Sequence, residues 1–258
     1  MINSENTIST YLNELSGSGW EEITIQNILD MASGIDCPVD FENMDACFAK
    51  SIIAYGIFNF NQQLENPLDY LRTIEFSKKQ GTVFEYSDIN TMMLTMLVEK
   101  VTNERFIKFV ERDIWQKIGV ENDAIFQDGG YGRAASPLGM NSTLRDLARF
   151  GLAFSPSGRT DANPTISDRF LNEIQNNLNK DLKTRSWFSD EERFNSYQWD
   201  EVYEDGDFYK HGHGGQGLYV SPSEDLVIAF FGMAGKDVTE HWLPTISRQL
   251  ATSEIFKN

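Results

Sequence analysis

The fold is indicated most clearly by residues 208–233, FYKHGHGGQGLYVSPSEDLVIAFFGM. Within this stretch, residues 216–220 and 226–233 each have the length and apolar content of a β-strand, and a Ser-Pro-Ser-Glu-Asp turn separates them. Just before them, residues 197–202 and 208–211 flank Glu-Asp-Gly-Asp, a sequence typical of a hairpin turn. These four segments together predict an antiparallel sheet.

The residues outside this sheet indicate mainly helices. Hydrophobic spacing and N-cap residues predict them at residues 25–32 (capped by Thr24), 89–101, 104–119, 141–150 (capped by Asn141 or Ser142), 167–178 and 237–251. Residues 36–67 are expected to be rich in loops. The sequence therefore predicts an α+β fold in one domain over residues 1–258, mainly helical over 1–190, with an antiparallel sheet and a terminal helix over 191–258.

A run of methionines on the helix after Ile89 could be mistaken for a metal or cofactor site. Met92, Met93, Met96 and Val101 recur, however, at the spacing of one helical face. Methionine fills irregular gaps in apolar cores well. We therefore interpret this stripe as core packing.

The composition excludes several classes of protein. Hydrophobic residues make up 40% of the chain, as in an ordinary globular domain, and the longest apolar run near the C-terminus is only strand-sized. A formal net charge of −17 repels phosphate backbones, so nucleic-acid binding is not expected. Neither a membrane span nor an export signal is expected in the chain as written, and the sequence leaves its localisation undetermined.

The two cysteines, Cys37 and Cys47, are too few for a disulfide scaffold and are wrongly spaced for a zinc knuckle. Two free thiols are the preferred interpretation. A local disulfide in an exported form remains open, because the separation of the two residues would permit it.

A glycine-dense segment, KHGHGGQG at residues 210–217, is the first candidate for chemistry. Glycines let the backbone approach a ligand closely and leave N–H groups free to point into a site. One alternative is a tight bend with His211 and His213 on its surface. Another is a metal site, since a His-x-His pair on a strand shares one side, but no nearby Asp or Cys completes a ligand set, and His241 lies on the predicted terminal helix.

The second candidate is Tyr86-Ser87-Asp88, at the start of the methionine-bearing helix. Ser87 or Asp88 is a suitable N-cap, so a helix start with no further role is the simplest interpretation.

The order of these segments along the chain adds information that neither carries alone. Residues 81–90, GTVFEYSDIN, resemble the second motif of the penicillin-recognising serine hydrolases, which is tyrosine, any residue, asparagine. His213-Gly214-Gly215 matches their third motif, which is lysine or histidine, a small residue and glycine. Segments similar to the family's other sequences lie in the same order at residues 23–35, 98–103, 114–120, 122–124 and 143–151. The branch of nylon-oligomer hydrolases and carboxylesterases is the most similar.

The resemblance implies a role for each matching residue. Tyr86 would exchange protons with the nucleophile and the leaving group, as a tyrosinate or through a neighbouring lysine. His213 would take the cationic or hydrogen-bonding place of the third motif, and the main-chain N–H of Gln216 would be one oxyanion-hole donor. Gly214 and Gly215 would line the substrate site.

The resemblance also implies a substrate class. Asp88 would contact the substrate but replaces the usual asparagine, which favours an esterase or amidase over a β-lactamase. The expected partner is therefore a small-molecule ester or amide. No cofactor or metal is implied, and assembly into a homo-oligomer is left open.

The first motif of the family, Ser-x-x-Lys, is absent from the 258 residues. Ser77 is followed at the third position by Gln80, and Ser142 by Arg145. The serine β-lactamase type of fold is therefore expected to be incomplete, with the nucleophile before Met1. Two interpretations follow, a fragment of an active serine hydrolase or a ligand-binding pseudoenzyme of the same fold. A metal-dependent hydrolase is a third, weaker one.

Overall fold

The computed structural model describes residues 2–38, 40, 42–57, 62–137, 140–160, 164–176, 178–179, 182, 192–212, 214–233, 242–253 and 255. The chain divides into two units. The first comprises Met1–Glu111 and Ala124–Asn141, and the second comprises Arg112–Asp123 and Ser142–Asn258.

The first unit consists of helices around an apolar core. Its helices are α1 (Ile25–Leu29), α2 (Cys47–Tyr55), α3 (Leu68–Leu71), α4 (Asp88–Thr102) and α5 (Phe106–Asp113, which continues into the second unit), with 3-10 turns at Ile8–Thr10 and Asn13–Leu15. Strands β1 (Ile125–Phe126) and β2 (Met140–Asn141) form a small antiparallel pair. Trp20 lies fully buried in this core, where its indole N–H donates to the Leu71 carbonyl at 2.9 Å and the Phe76 ring packs edge-on against it.

Helix α4 begins and packs largely as the sequence predicts. The Ser87 side chain caps it by accepting a hydrogen bond from the main-chain N–H of Ile89. Met92 and Met93 are fully buried, so the methionine stripe is core packing. The prediction was wrong for Val101, which is 41% exposed because the core ends before the last turn of the helix.

Helix α2 lies inside the region that we expected to be rich in loops. Phe48, Ile52 and Tyr55 recur at helical spacing, and all three are buried. The helix ends at Gly56, which adopts a left-handed conformation with φ of +93°. The expectation of a loop-rich stretch over residues 36–67 was therefore wrong for residues 47–55.

Cys37 and Cys47 form a disulfide, so the preferred interpretation of two free thiols was wrong. The bridge joins Cys37, buried in the core of the first unit, to the first residue of α2. The Cα atoms of the two residues lie 5.4 Å apart, within the range that a disulfide spans. The sequence permitted this pairing but could not show the approach.

The second unit is built on a five-stranded antiparallel sheet, which confirms the main prediction. Its strands, in spatial order, are β3 (Arg193–Ser196), β4 (Trp199–Tyr203), β5 (Phe208–Gly212), β6 (Gln216–Ser221) and β7 (Leu226–Phe230). Its helices are α6 (Leu144–Leu152), α7 (Asp168–Asn176) and α8 (Trp242–Ala251), with 3-10 turns at Trp115–Lys117 and Pro156–Gly158. Phe208, Leu218 and Val220 pack in one apolar cluster with residues of α6 and α7, and Tyr209 and Tyr219 pack in another with α8.

Several predicted boundaries differ from those in the structure. Helix α6 is capped by Thr143, whose side chain accepts from the main-chain N–H of Asp146, and not by Asn141 or Ser142. The helix predicted over residues 104–119 ends at Asp113 and is followed by a 3-10 turn. The part of the terminal helix predicted at 237–241 lies outside the described residues.

Asp146 links the first turn of α6 to residues 121–122. Its buried carboxylate accepts the main-chain N–H groups of Glu121 and Asn122 at 2.9 and 3.2 Å, and also hydrogen bonds from the Thr143 hydroxyl and the Arg149 guanidinium. The bond from the Glu121 N–H is the largest of several influences that hold the pKa of Asp146 well below its usual range.

Among the described residues, no helix combines the length and the apolar character that crossing a bilayer requires.

We expect the disulfide to stabilise the first unit. Because the bridge closes a loop with a sequence separation of 10, the chain-entropy model gives a contribution of about 3 kcal/mol. Chemical denaturation of the oxidised protein and of the Cys37→Ser/Cys47→Ser variant measures it. Reactive thiols in the native oxidised protein, or equal stabilities of the two forms, would contradict the assignment.

We expect Asp146→Asn to destabilise the second unit in a pH-dependent way. Because folding lowers the pKa of Asp146, its contribution is complete above the ordinary aspartate pKa of 3.8 and is lost as the pH falls below that value. The urea midpoints of wild type and variant, followed by circular dichroism, should differ most at pH 7, and the difference should begin to shrink as the pH falls below 3.8. Asp45→Asn, at an exposed carboxylate that pairs with Lys50, is the control and should have little effect at either pH.

Candidate active site

The first candidate element is the start of helix α4. Tyr86 directly precedes the N-cap Ser87, and its side chain is 44% exposed. The segment before Tyr86 is fixed to the loop after α1 by main-chain hydrogen bonds, from Glu85 N–H to the Met31 carbonyl and from Gly81 N–H to the Ala32 carbonyl, both 2.8 Å. The phenol is thus presented to solvent from a fixed backbone.

Asp88, the first residue of α4, is buried. The first turn of a helix favours a negative side chain, because its unpaired N–H groups carry partial positive charge. The charge of Asp88 is therefore favourable at the helix start, and its contact with a substrate stays a prediction. An ionised carboxylate accepts hydrogen bonds and donates none, in contrast to the amide of the family's usual asparagine.

The second candidate element is the turn between β5 and β6. Gly214 and Gly215 have φ angles of +77° and +103°, which L-residues with side chains rarely adopt. The turn is closed by the pair of Gly212 and Gln216, the last in the β5–β6 ladder. The dense glycines thus meet a conformational need of the turn that leads into β6.

Two other glycines of the segment are required by packing. A Cβ on Gly212 would lie 2.6 Å from the Cβ of Gln216. A Cβ on Gly217 would lie 1.9 Å from the hydroxyl oxygen of Tyr209, which occupies the space over this residue. Side chains flanking the turn therefore pack directly on the backbone beside it.

Only one of the three histidines lies among the described residues. His211 is half-buried on β5, while His213 and His241 lie outside the described residues. Among the described residues, no group of three or more His, Cys, Asp or Glu side chains is arranged to hold a metal ion. The metal-dependent interpretation stays a hypothesis.

A buried charged network, which the sequence reasoning missed, lies beside the strand that leads to the turn. Glu201 on β4 accepts a hydrogen bond from the Tyr203 hydroxyl at 2.8 Å and forms an ion pair with Arg193 on β3. Its other carboxylate oxygen lies 3.4 Å from Nε2 of His211. Burial, the largest single influence, would raise the pKa of Glu201, but His211, Arg193 and Tyr203 together hold that pKa below its usual range.

The predicted site residues therefore fall into two groups. Tyr86 and Asp88 belong to the first unit, and Gly214, Gly215 and Gln216 belong to the second. The residues of each group are neighbours along the chain. The first group can supply a proton-exchanging phenol, and the second can supply a main-chain N–H in a glycine turn.

Comparisons with known proteins bear on the family and the fold of the chain. A family model described as Beta-lactamase matches residues 2–238. The 6-aminohexanoate-dimer hydrolase of Paenarthrobacter ureafaciens is 25% identical over 241 residues, covering 91% of this chain and 61% of that protein. The chain thus spans about three fifths of the length of this curated relative.

Solved structures share the fold. A Bacillus anthracis protein described as a candidate 6-aminohexanoate-dimer hydrolase has a TM-score of 0.75 at 23% identity, with 97% of this chain and 66% of that chain covered. EstCE1, a hydrolase with promiscuous acyltransferase activity, has a TM-score of 0.72 at 14% identity, with 97% and 78% covered. A class C β-lactamase has a TM-score of 0.65 at 15% identity, with 97% and 75% covered.

These comparisons confirm the resemblance drawn from the order of the motifs. The family match covers well over half of the chain, and the solved structures share its arrangement of helices and antiparallel strands. The chain therefore belongs to the Beta-lactamase family, the penicillin-recognising serine hydrolases.

Proposed function

We propose that this chain carries the proton-transfer and oxyanion-binding elements of a serine hydrolase that cleaves small-molecule esters or amides through an acyl-enzyme. The observation that carries the proposal is the presentation of Tyr86. Tyr86 is 44% exposed directly before the N-cap of α4, and its place in the chain resembles that of the tyrosine in the family's second motif. A tyrosine that only packs in the core would instead be buried, as Tyr55 is.

The proposed chemistry has two steps. A serine oxygen attacks the acyl carbon while Tyr86, as a tyrosinate, takes the serine proton, and Tyr86 then gives that proton to the leaving alcohol or amine as its bond to the acyl carbon breaks. The main-chain N–H of Gln216 donates to the oxygen that becomes negative in the tetrahedral intermediate. Water repeats the attack on the acyl-enzyme and releases the acid.

We further propose that polypeptide outside these 258 residues supplies the serine, because no serine of this chain has lysine three residues on. Two buried atoms beside the Tyr86 segment support this. The Ser33 hydroxyl and the Asn90 side-chain oxygen have no hydrogen-bond partner within the part of the chain that the structure describes. Buried polar atoms are normally satisfied, so these two are suited to receive hydrogen bonds from a further segment.

The proposed substrate class rests on Asp88. An asparagine at this position can donate an amide hydrogen to a substrate carbonyl, whereas an ionised aspartate cannot. We infer that a β-lactam amide is disfavoured relative to an ester or a simple amide, with Asp88, Gly214 and Gly215 lining the substrate site. His213, in the third motif, would supply a hydrogen bond or positive charge.

The absence of Ser-x-x-Lys also favours a second candidate, a pseudoenzyme that binds a ligand without turning it over. The encoding DNA upstream of Met1 separates the two. A continuous frame with Ser-x-x-Lys supports the hydrolase, and an in-frame stop codon contradicts it. A pseudoenzyme would be monodisperse, unfold cooperatively and bind a ligand without hydrolysing p-nitrophenyl esters.

In the form of the protein that includes the upstream serine, Tyr86→Phe is expected to lower the kcat for p-nitrophenyl acetate by about 100- to 10,000-fold, because the proton acceptor is lost. Tyr131→Phe is the matched control. Tyr131 is also an exposed tyrosine of the first unit, at 55%, but lies outside the motif, so its turnover should match wild type. Equal rates for the two variants would exclude the role of Tyr86.

Gly214→Ala is expected to disturb the oxyanion donor. Gly214 and Gly119 both have left-handed φ angles, +77° and +71°, with open space at the position of a Cβ. Alanine should therefore destabilise each site similarly, by about 1–2 kcal/mol. Only Gly214→Ala should also lower kcat, by up to about 100-fold, because it displaces the turn before Gln216. Parallel losses of activity in both variants would show a stability effect alone.

A further inference from the structure

Strand β5 is held unequally by its two neighbours. On the β6 side it is paired to its end, where Gly212 lies opposite Gln216. On the β4 side, within the described residues, the register pairs extend only to Tyr209, which lies opposite Glu201. The residues of β5 that lead into the glycine turn thus have a ladder partner on one side only.

The Asp200 carboxylate replaces the missing ladder on the β4 side. Its Oδ2 atom accepts the main-chain N–H of His211 at 2.8 Å, and its Oδ1 atom accepts from Nζ of Lys210 at 2.7 Å. Both donors belong to the part of β5 beyond the last β4 register pair. One side chain therefore holds two successive residues of the strand.

The neighbouring carboxylate, Glu201, contacts the same strand through a side chain. Its Oε1 atom lies 3.4 Å from Nε2 of His211, whose ring also packs edge-on against Tyr209. Glu201 is itself fixed, because Tyr203 and the fully buried Arg193 hold its other oxygen. His211 is thus anchored by its backbone to one acidic residue and by its imidazole to the next.

We propose that Asp200 and Glu201, together the acidic clamp, are positioning residues that fix the end of β5 and thereby the glycine turn and the main-chain N–H of Gln216. The inference rests on the proposed function, in which that N–H binds the oxyanion. The acidic clamp would touch neither the substrate nor the reacting atoms.

The composition of the turn explains why it needs such an anchor. Gly212, Gly214 and Gly215 lie within four residues, and glycine loses more conformational freedom on ordering than any other residue. A donor that must face a developing charge has to be held before the reaction begins. Hydrogen bonds from β5 to the fixed carboxylates of β4 restrict the motion of the residues just before the turn. They do so without placing a side chain inside the turn.

Hydrogen exchange of main-chain amides tests the acidic clamp in the full 258-residue chain, independently of catalysis. Asp200→Ala should accelerate exchange of the His211 amide about tenfold, the effect of losing one ordinary hydrogen bond, and should also accelerate exchange at Gln216. Asp200→Asn keeps an acceptor and should restore most of the protection. Glu201→Gln should accelerate exchange at both amides less strongly, and Glu224→Gln, at an exposed residue before β7, should change neither.

Protection at Gln216 decides the proposal. Unchanged exchange at Gln216 in both Asp200→Ala and Glu201→Gln overturns it, even if the His211 amide responds, and faster exchange in both supports it. If Asp200→Ala does not fold, Glu201→Gln against Glu224→Gln provides the same comparison.

In any form that hydrolyses p-nitrophenyl acetate, Asp200→Ala should lower kcat with little change in KM, and Asp200→Asn should rescue it. If the form that includes an upstream Ser-x-x-Lys shows no turnover, the proposed function is contradicted, while the exchange result remains decisive for the acidic clamp.

Discussion

The carboxylate of Glu201 is buried in the sheet, and residues of β3, β4 and β5 stabilise its negative charge. Arg193 from β3 pairs with it, Tyr203 donates to it, and His211 from β5 lies beside it. A buried charge without such partners would cost several kcal/mol. The three strands are therefore tied to one another by charge as well as by their ladders.

Two guanidinium groups also lie near the ring of Tyr203. The guanidinium of Arg193 lies 5.7 Å from the centre of the Tyr203 ring, and that of Arg248 on α8 lies 4.8 Å from it. Arg248 also donates to Asp207, which accepts a hydrogen bond from Tyr219 as well. Helix α8 is thus fixed to the sheet by charge-assisted hydrogen bonds in addition to the small tyrosine cluster.

The sequence predicted those features that a local pattern determines. Thr24, and Ser87 or Asp88, were predicted as helix caps because the residues after them have helical spacing, and Thr24 and Ser87 are the caps in the structure. The glycines before β6 were expected to free the backbone, and Gly214 and Gly215 adopt positive φ angles. The order of the motifs predicted the family, since it depends on no contact between distant residues.

Features that depend on distant partners were not predicted. Strand β3 contains Arg193, Asn195 and Ser196, polar residues that the periodicity of a buried strand does not suggest, yet all are buried. Arg193 can be buried because the β3–β4 pairing, in which it lies opposite Tyr203, brings Glu201 within ion-pair distance, and register is not visible before the strands are paired. The Cys37–Cys47 bridge likewise needs the approach of α2 to a loop ten residues earlier.

The proposed roles of Tyr86 and Gln216 place different physical demands on the chain. A proton-exchanging phenol needs access and a fixed backbone, which a capped helix start provides through local interactions. An oxyanion donor needs a backbone conformation that only glycines adopt readily, and glycines do not hold themselves in place. The first demand can be met within a few residues, whereas the second requires support from another strand. This difference explains why the tyrosine motif could be found from sequence and why Asp200 and Glu201 could be found only once β4 and β5 were seen together.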